Sequence, residues 1–245
     1  MISVSRTCFE AACRLALAAL FAATMSAVTV TGKVELRDSK DPTVRLKMDF
    51  SGVVIWLEPL NGKAALPPQA HARMIQKSKT FTPHILAVPV GATVDFPNFD
   101  PIFHNVFSTY DGQQFDLTLY PPGKSKSVTF ARAGIVRVFC NIHSSMSAVI
   151  AVLDTPYFDT SKKDGSFVMR DVPVGEYRIH VFHERATQST LAELTRVVNV
   201  AGDSVDLAPI MISETGYLAI PHLNKFGREY SPAPDDDGVY PAVRK

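Results

Sequence analysis

Gly134-Ile135-Val136-Arg137-Val138-Phe139-Cys140-Asn141-Ile142-His143-Ser144-Ser145-Met146, followed closely by Ala148-Val149-Ile150-Ala151-Val152-Leu153, is the stretch that decides the fold. Val136 to Cys140 alternates in the manner of a strand that buries one face. The apolar run from Ala148 reads as the next strand, buried on both faces. Between them a short loop packs a thiol, an imidazole and a thioether into a Cys-x2-His-x2-Met spacing. Cys140 then falls at a strand end, and the loop returns His143 and Met146 to the same point.

Working outward, a second imidazole stands in Phe103-His104-Asn105-Val106, after the strand-like Thr93-Val94-Asp95-Phe96. His104 is far from Cys140 in sequence, so it must arrive from a neighbouring strand end across the fold. His104, Cys140 and His143 with a weakly held axial Met146 make the ligand set of a type 1 copper site. Soft sulfur suits Cu(I), imidazole suits both oxidation states, and a three-donor plane with a long axial bond strongly favours neither. Taken singly, a Cys is most often a small buried hydrophobe and a Met after a loop is most often core. Zinc is the rival metal, but structural zinc sites usually draw on paired Cys spacings, which this chain lacks.

The region from Lys79 to Leu153 resembles a cupredoxin, with a ligand loop similar to that of amicyanin. Phe81-Thr82-Pro83 and Val90-Gly91-Ala92-Thr93-Val94-Asp95-Phe96 resemble the family's opening strands, His104-Asn105-Val106 its first-ligand motif, and Ala133 to Cys140 its last strand before the loop. The resemblance implies a Greek-key β-sandwich, a single bound copper, and a bridging role for Asn105, whose side chain would tie the two ligand-bearing loops together. It also implies that His143 lies at the surface as the electron port. One departure is plain: the family often has Ser or Thr and then Pro after the Cys, where this chain has Asn141 and Ile142. The whole chain is similar to bacterial plastocyanin-like proteins, often labelled methylamine-utilisation proteins, that join a cupredoxin to a carboxypeptidase-regulatory-like β domain.

Residues 1–27 read as a secretory signal peptide. Arg6 and Arg14 lead into an apolar run from Leu15 to Ala23 that is too short to span a bilayer, then small residues up to Ala27. Cleavage would remove Cys8 and Cys13 and leave Cys140 as the one thiol, which excludes an intramolecular disulfide. A lone thiol in an oxidising compartment is safest when buried or metal-bound. One Cys also excludes a binuclear copper centre with two bridging thiolates. The chain's 25 basic and 24 acidic side chains would lose two arginines and Glu10, leaving 23 of each. That balance gives no drive towards nucleic acid or an anionic membrane.

With 46% apolar residues there is material for two small cores. Residues 28–65 read as an N-terminal β segment, with strands over Val28 to Leu36 and Gly52 to Leu60 and a charged, Asp-Pro-containing loop over 37–47. Residues 66–154, entered through Leu66-Pro67-Pro68, form the copper-binding domain. Residues 155–213 resemble the carboxypeptidase-regulatory-like module, a small transthyretin-like β-sandwich. It opens at the Asp164-Gly165 turn and carries a second Pro/Gly turn at Val172-Pro173-Val174-Gly175. The Val30 to Leu60 strands look like pieces of the same module. Residues 214–245 read as an extended tail, ordered only where its aromatics find a groove. His84 reads as a partly buried strand residue, and His71 and Met74 as members of a solvated loop. His180 and His183 face opposite sides of a strand and are not metal ligands.

The class is therefore all-β: a cupredoxin sandwich plus a second, smaller sandwich. The expected function is an exported, periplasmic, mononuclear copper protein that carries one electron at a time, with a cytochrome or dehydrogenase as redox partner and no membrane span once the leader is removed. Two rivals are a periplasmic copper-delivery protein and an envelope module in which metal staples the fold. Nothing supports a hydrolase or a nucleophilic enzyme, because Cys140 has no free role once copper is bound.

Overall fold

The computed structural model describes residues 27–68, 70–109, 112–219 and 221–230. The leader expected over 1–27 thus lies outside the described residues except for Ala27, as do residues 231–245 of the tail. The chain begins with β1 (Ala27–Arg37), the short helix α1 (Pro42–Lys47) and β2 (Val54–Pro59). Its middle forms β3 (His71–Arg73), β4 (Ile75–Lys77), β5 (Thr80–Thr82), β6 (Ile85–Pro89), β7 (Thr93–Pro97), β8 (His104–Ser108), β9 (Phe115–Tyr120), β10 (Ser125–Thr129), β11 (Gly134–Phe139) and β12 (Ser147–Leu153). The last part adds β13 (Phe158–Thr160), β14 (Ser166–Pro173), β15 (Gly175–Phe182), helix α2 (Gln188–Leu194), β16 (Arg196–Val200), β17 (Ser204–Asp206) and β18 (Ile210–Ser213). The fold is all-β, as the patterning predicts, and neither helix is long and apolar enough to cross a membrane.

The middle part sets a sheet of order β6-β12-β11-β8-β9 against a smaller one of order β10-β7-β3. Val94 and Phe96 from the small sheet meet Val106, Val136, Val138, Ala148, Ile150 and Val152 from the large one in a single core that also holds Cys140 and Met146. The alternation along β12 explains its unbroken apolar run. Ala148, Ile150 and Val152 face this core, while Val149, Ala151 and Leu153 face a second core on the other side. The larger sheet is thus buried on both faces where β12 runs, and that run links the two halves of the molecule.

Residues 28–65 are built into the sheets of the C-terminal part. β1 has β14 on one side and β17 and β18 on the other, and β2 lies between β13 and β15. Neither strand could bury its apolar face alone, so both complete the double sheet around Val30, Ile55, Phe167 and Ile179. The middle part interrupts that double sheet between β2 and β13. At the Asp164-Gly165 turn Gly165 takes a φ of +79°, and an added Cβ would lie 2.1 Å from the Val34 carbonyl oxygen, so only glycine fits beside β1.

Two local expectations need correction. The 37–47 loop contains α1, because the Asp41 side chain accepts a hydrogen bond from the Thr43 N–H at 2.8 Å, Pro42 takes the first turn, and Val44 is buried beneath it. His71 and Met74 do not lie in a solvated loop. His71 is in β3, which pairs with β7, and Met74 is fully buried in the core that holds Cys140. Burying such a side chain contributes about 1.5–3 kcal/mol.

Candidate metal centre

β11 ends at Phe139, which pairs with Phe107 of β8, so the end of one strand lies beside the strand that His104 begins. Cys140 is the next residue. Its N–H donates to the Met146 carbonyl at 3.1 Å, and the Met146 N–H donates to the His143 carbonyl at 3.0 Å, which closes the loop on itself. The Cys140 Sγ lies 3.8 Å from Nδ1 of His104 and 3.8 Å from Nδ1 of His143. The imidazoles meet edge to face with centroids 5.0 Å apart. His104, Cys140 and Met146 are fully buried, and His143 is half-buried. Among the described residues this is the one group of three such donors that could hold a metal ion. The spacing fits an ion between them: with bonds of about 2.3 Å to sulfur and about 2.0 Å to nitrogen, a sulfur and a nitrogen about 120° apart stand about 3.7 Å from each other.

The "Methylamine utilization protein MauL" of Methylorubrum extorquens (strain ATCC 14718 / DSM 1338 / JCM 2805 / NCIMB 9133 / AM1) is 42% identical to this chain over 59 residues, which cover 24% of this chain and 52% of MauL. The chain spans about half the length of that curated relative. Among solved structures, a purple cupredoxin from Nitrosopumilus maritimus is 24% identical, covers 34% of this chain and 99% of its own, and superposes with a TM-score of 0.31. A Cu(I) form of a methionine-to-alanine mutant of amicyanin is 20% identical, covers 38% and 100%, and superposes with a TM-score of 0.33. No family model matches the chain.

The donors are electrically prepared for a cation. Burial alone would raise the Cys140 thiol. Hydrogen bonds from His104 and His143, with the backbone N–H groups of Asn105 and Ile142, outweigh it and bring the pKa down to about 5. These contacts favour the thiolate form of Cys140. Burial also pushes the His104 imidazolium down, but Cys140 on one side and Asp100 on the other prevail, and its pKa is raised. Asp100 accepts from His104 Nε2 at 2.8 Å and from the Ser78 and Lys79 backbone N–H groups at 2.5 and 2.9 Å. A carboxylate behind a histidine in this way fixes the ring's orientation, so that Nδ1, once a metal ion displaced its proton, would aim its lone pair at the ion.

The sequence-predicted residues come together: His104, Cys140 and His143 in one cluster, with Met146 in the same core. Asn105 spans the two ligand-bearing segments. Its Oδ1 accepts from the Asn141 N–H at 3.1 Å, and its Nδ2 donates to Asp116 at 2.7 Å. His84 stands outside the cluster, half-exposed, with Nδ1 on the Ser147 carbonyl at 3.1 Å and Nε2 on Glu184 at 2.6 Å. Sequence reasoning missed Asp100. Its position four residues before His104 was the available signal, but Asn98-Phe99-Asp100-Pro101 also reads as an ordinary turn.

Proposed function

We propose that the chain is an exported, mononuclear type 1 copper protein that carries single electrons between redox proteins. The observation that carries this reading is the meeting of two imidazole Nδ1 atoms and one buried, low-pKa thiol inside a loop that also brings in a thioether. His104, Cys140 and His143 would hold the metal in a plane, with Met146 as axial ligand and Asn105 bracing the two segments. A bound copper ion would supply one-electron chemistry, alternating between Cu(I) and Cu(II). The chain's own residues keep the site constant through that change. Asp100 holds the His104 ring, Asn105 holds the loop, and the core around Cys140 and Met146 keeps water out. His143 is the donor that reaches the surface, so it is the port through which a partner would exchange the electron.

MauL is named for methylamine utilisation, which supports a cytochrome or an amine-oxidising dehydrogenase as that partner. Residues 66–154 would be the copper unit. Strands from 28–65 and 155–213 would together form the carboxypeptidase-regulatory-like module, serving as a docking or adhesive body. Export rests on the signal-like residues 1–27.

The test is the visible spectrum of the mature chain loaded with Cu(II). An intense thiolate-to-copper charge-transfer band is expected, and it should vanish in Cys140→Ser. A colourless Cu(II) complex sinks the type 1 assignment. Electron exchange with a reduced cytochrome then separates the carrier from a delivery protein, which would instead pass its copper to an apo-acceptor.

A further inference from the structure

The tail does more than follow the surface. Asn224 makes a tight turn, accepting from the Phe226 and Arg228 N–H groups at 2.9 and 3.1 Å, and this turn presents Lys225 to the metal loop. The Lys225 N–H donates to the Asn141 side-chain oxygen at 3.0 Å, and Lys225 Nζ lies 2.7 Å from Asp116. Asp116 accepts from Asn105, and Asn105 accepts from the Asn141 N–H. The four residues close a ring drawn from β8, β9, the loop and the tail. Five residues further on, the Tyr230 hydroxyl donates to the Cys140 carbonyl at 2.7 Å. His222 stacks on Phe139 at 4.1 Å between centroids, with its Nδ1 3.2 Å from the Tyr230 oxygen. The tail thus touches the residue before the thiol, the thiol residue itself and the residue after it. It also gives Asn141 a task at the position where related loops often carry Ser or Thr.

We propose that residues 221–230 are a strap in which Lys225 and Tyr230 act as positioning residues, fixing the Cys140 thiolate against His104 and His143 by holding the Cys140 carbonyl and the Asn141 side chain. The inference deepens the copper reading and rests on it. Physically, the loop has two short closing bonds of its own, and a loop so lightly closed opens easily. Each strap bond removes a way for Cys140 to swing from the metal. Partners that orient a ligand in this fashion are worth about ten- to a hundredfold in metal affinity.

The experiment compares the full chain with a chain ended after Ala219, and with Tyr230→Phe, Lys225→Met and Lys225→Arg. Three quantities are read: the rate at which a chelator strips copper, the reduction potential, and hydrogen exchange of the Asn141 and Ile142 amides in the metal-free protein. Truncation should speed copper release about ten- to a hundredfold, shift the potential and unprotect the two amides. Tyr230→Phe and Lys225→Met should each give part of that change, and Lys225→Arg should recover the wild-type values by keeping the ion pair with Asp116. If the truncated chain loses its strand signal, the point variants decide. Unchanged release and potential overturn the proposal, even if the amides exchange faster, because the strap would then be a fold element only. A full chain that shows no charge-transfer band sinks the copper reading instead. The amide exchange of the metal-free variants then still decides whether the strap orders the loop.

Discussion

His104 and His183 are both buried, and both bring Nε2 to a carboxylate, Asp100 at 2.8 Å and Glu214 at 2.9 Å. They differ at the other nitrogen. Nδ1 of His104 faces the Cys140 sulfur, whereas Nδ1 of His183 has no hydrogen-bond partner among the described residues. The charges differ too. Glu214 is already compensated by Arg185 at 3.0 Å and accepts from Ser39 at 2.7 Å, so burial prevails and pushes the His183 pKa down. At His104 the thiolate reverses that outcome. A buried carboxylate–histidine pair is therefore a general way to orient an imidazole. It becomes a candidate metal centre only where further donors converge on the other ring nitrogen.

The comparison breaks if the two histidines prove interchangeable. The largest expected effect is that His104→Ala weakens copper binding more than about a hundredfold, beyond what losing an outer partner costs. His183→Ala should leave copper binding and the visible band intact while lowering unfolding free energy by about 2–4 kcal/mol, through a lost charge-assisted bond and a small cavity. Titration calorimetry and urea unfolding on the two variants test this, and a changed band in His183→Ala would end the distinction.

Next come the carboxylates. Asp100→Asn should weaken copper binding about ten- to a hundredfold, or about 1.4–2.7 kcal/mol, by loosening the His104 ring. Glu214→Gln should cost stability and no copper affinity. Equal affinity in wild type and Asp100→Asn would show that the core alone orients His104.

Met146 sharpens the comparison, since a thioether shares the core with Cys140 beside one histidine and not beside the other. A harder oxygen favours Cu(II) and lowers the potential, and a dry hydrocarbon raises it. Measured in one buffer, the potentials should rise in the order Met146→Gln, wild type, Met146→Leu. Any other order removes Met146 from the axial position.

The smallest effect belongs to a third pair, His84 with Glu184, which joins the two halves of the molecule at 2.6 Å with Arg137 also 3.7 Å from the carboxylate. The hydrogen bond that His84 donates to the Glu184 carboxylate raises the His84 pKa, against burial. Burial acts to raise Glu184, but His84 and the nearby arginines outweigh it and hold its pKa low. A raised His contributes fully below its unfolded pKa of about 6.5 and loses that contribution as pH rises through the folded value. A depressed Glu contributes above about 4.5 and loses it as pH falls through its own folded value. The pair should therefore stabilise most between about pH 4.5 and 6.5, by less than about 1 kcal/mol because His84 is half-exposed. Urea midpoints in wild type should fall as pH rises above about 6.5 and again as it drops below about 4.5, and His84→Gln should lose that contribution on both sides.

The patterning that was legible is local. Strands β1, β7, β11 and β12 follow from period-2 alternation or an unbroken apolar run, and Cys140, His143 and Met146 from donors crowded into one short loop. Where local signals were brief they misled. The Asp41-Pro42-Thr43 cap was outweighed by the charge of its surroundings, and β3 is too short for its period to show.

What the sequence by itself determined is the all-β class and which side chains come together as candidate metal donors, because both depend on spacing along one or two strands. What only the tertiary structure decided is who stands behind those donors and what joins the halves. β1 finds its partners at the far end of the chain. Asp116 meets Lys225 across 109 residues of chain, and Tyr230 meets the Cys140 carbonyl across 90. A polar side chain in a loop satisfies its hydrogen bonds with whatever the packed strands bring within about 3 Å, and no periodicity in the sequence records that encounter.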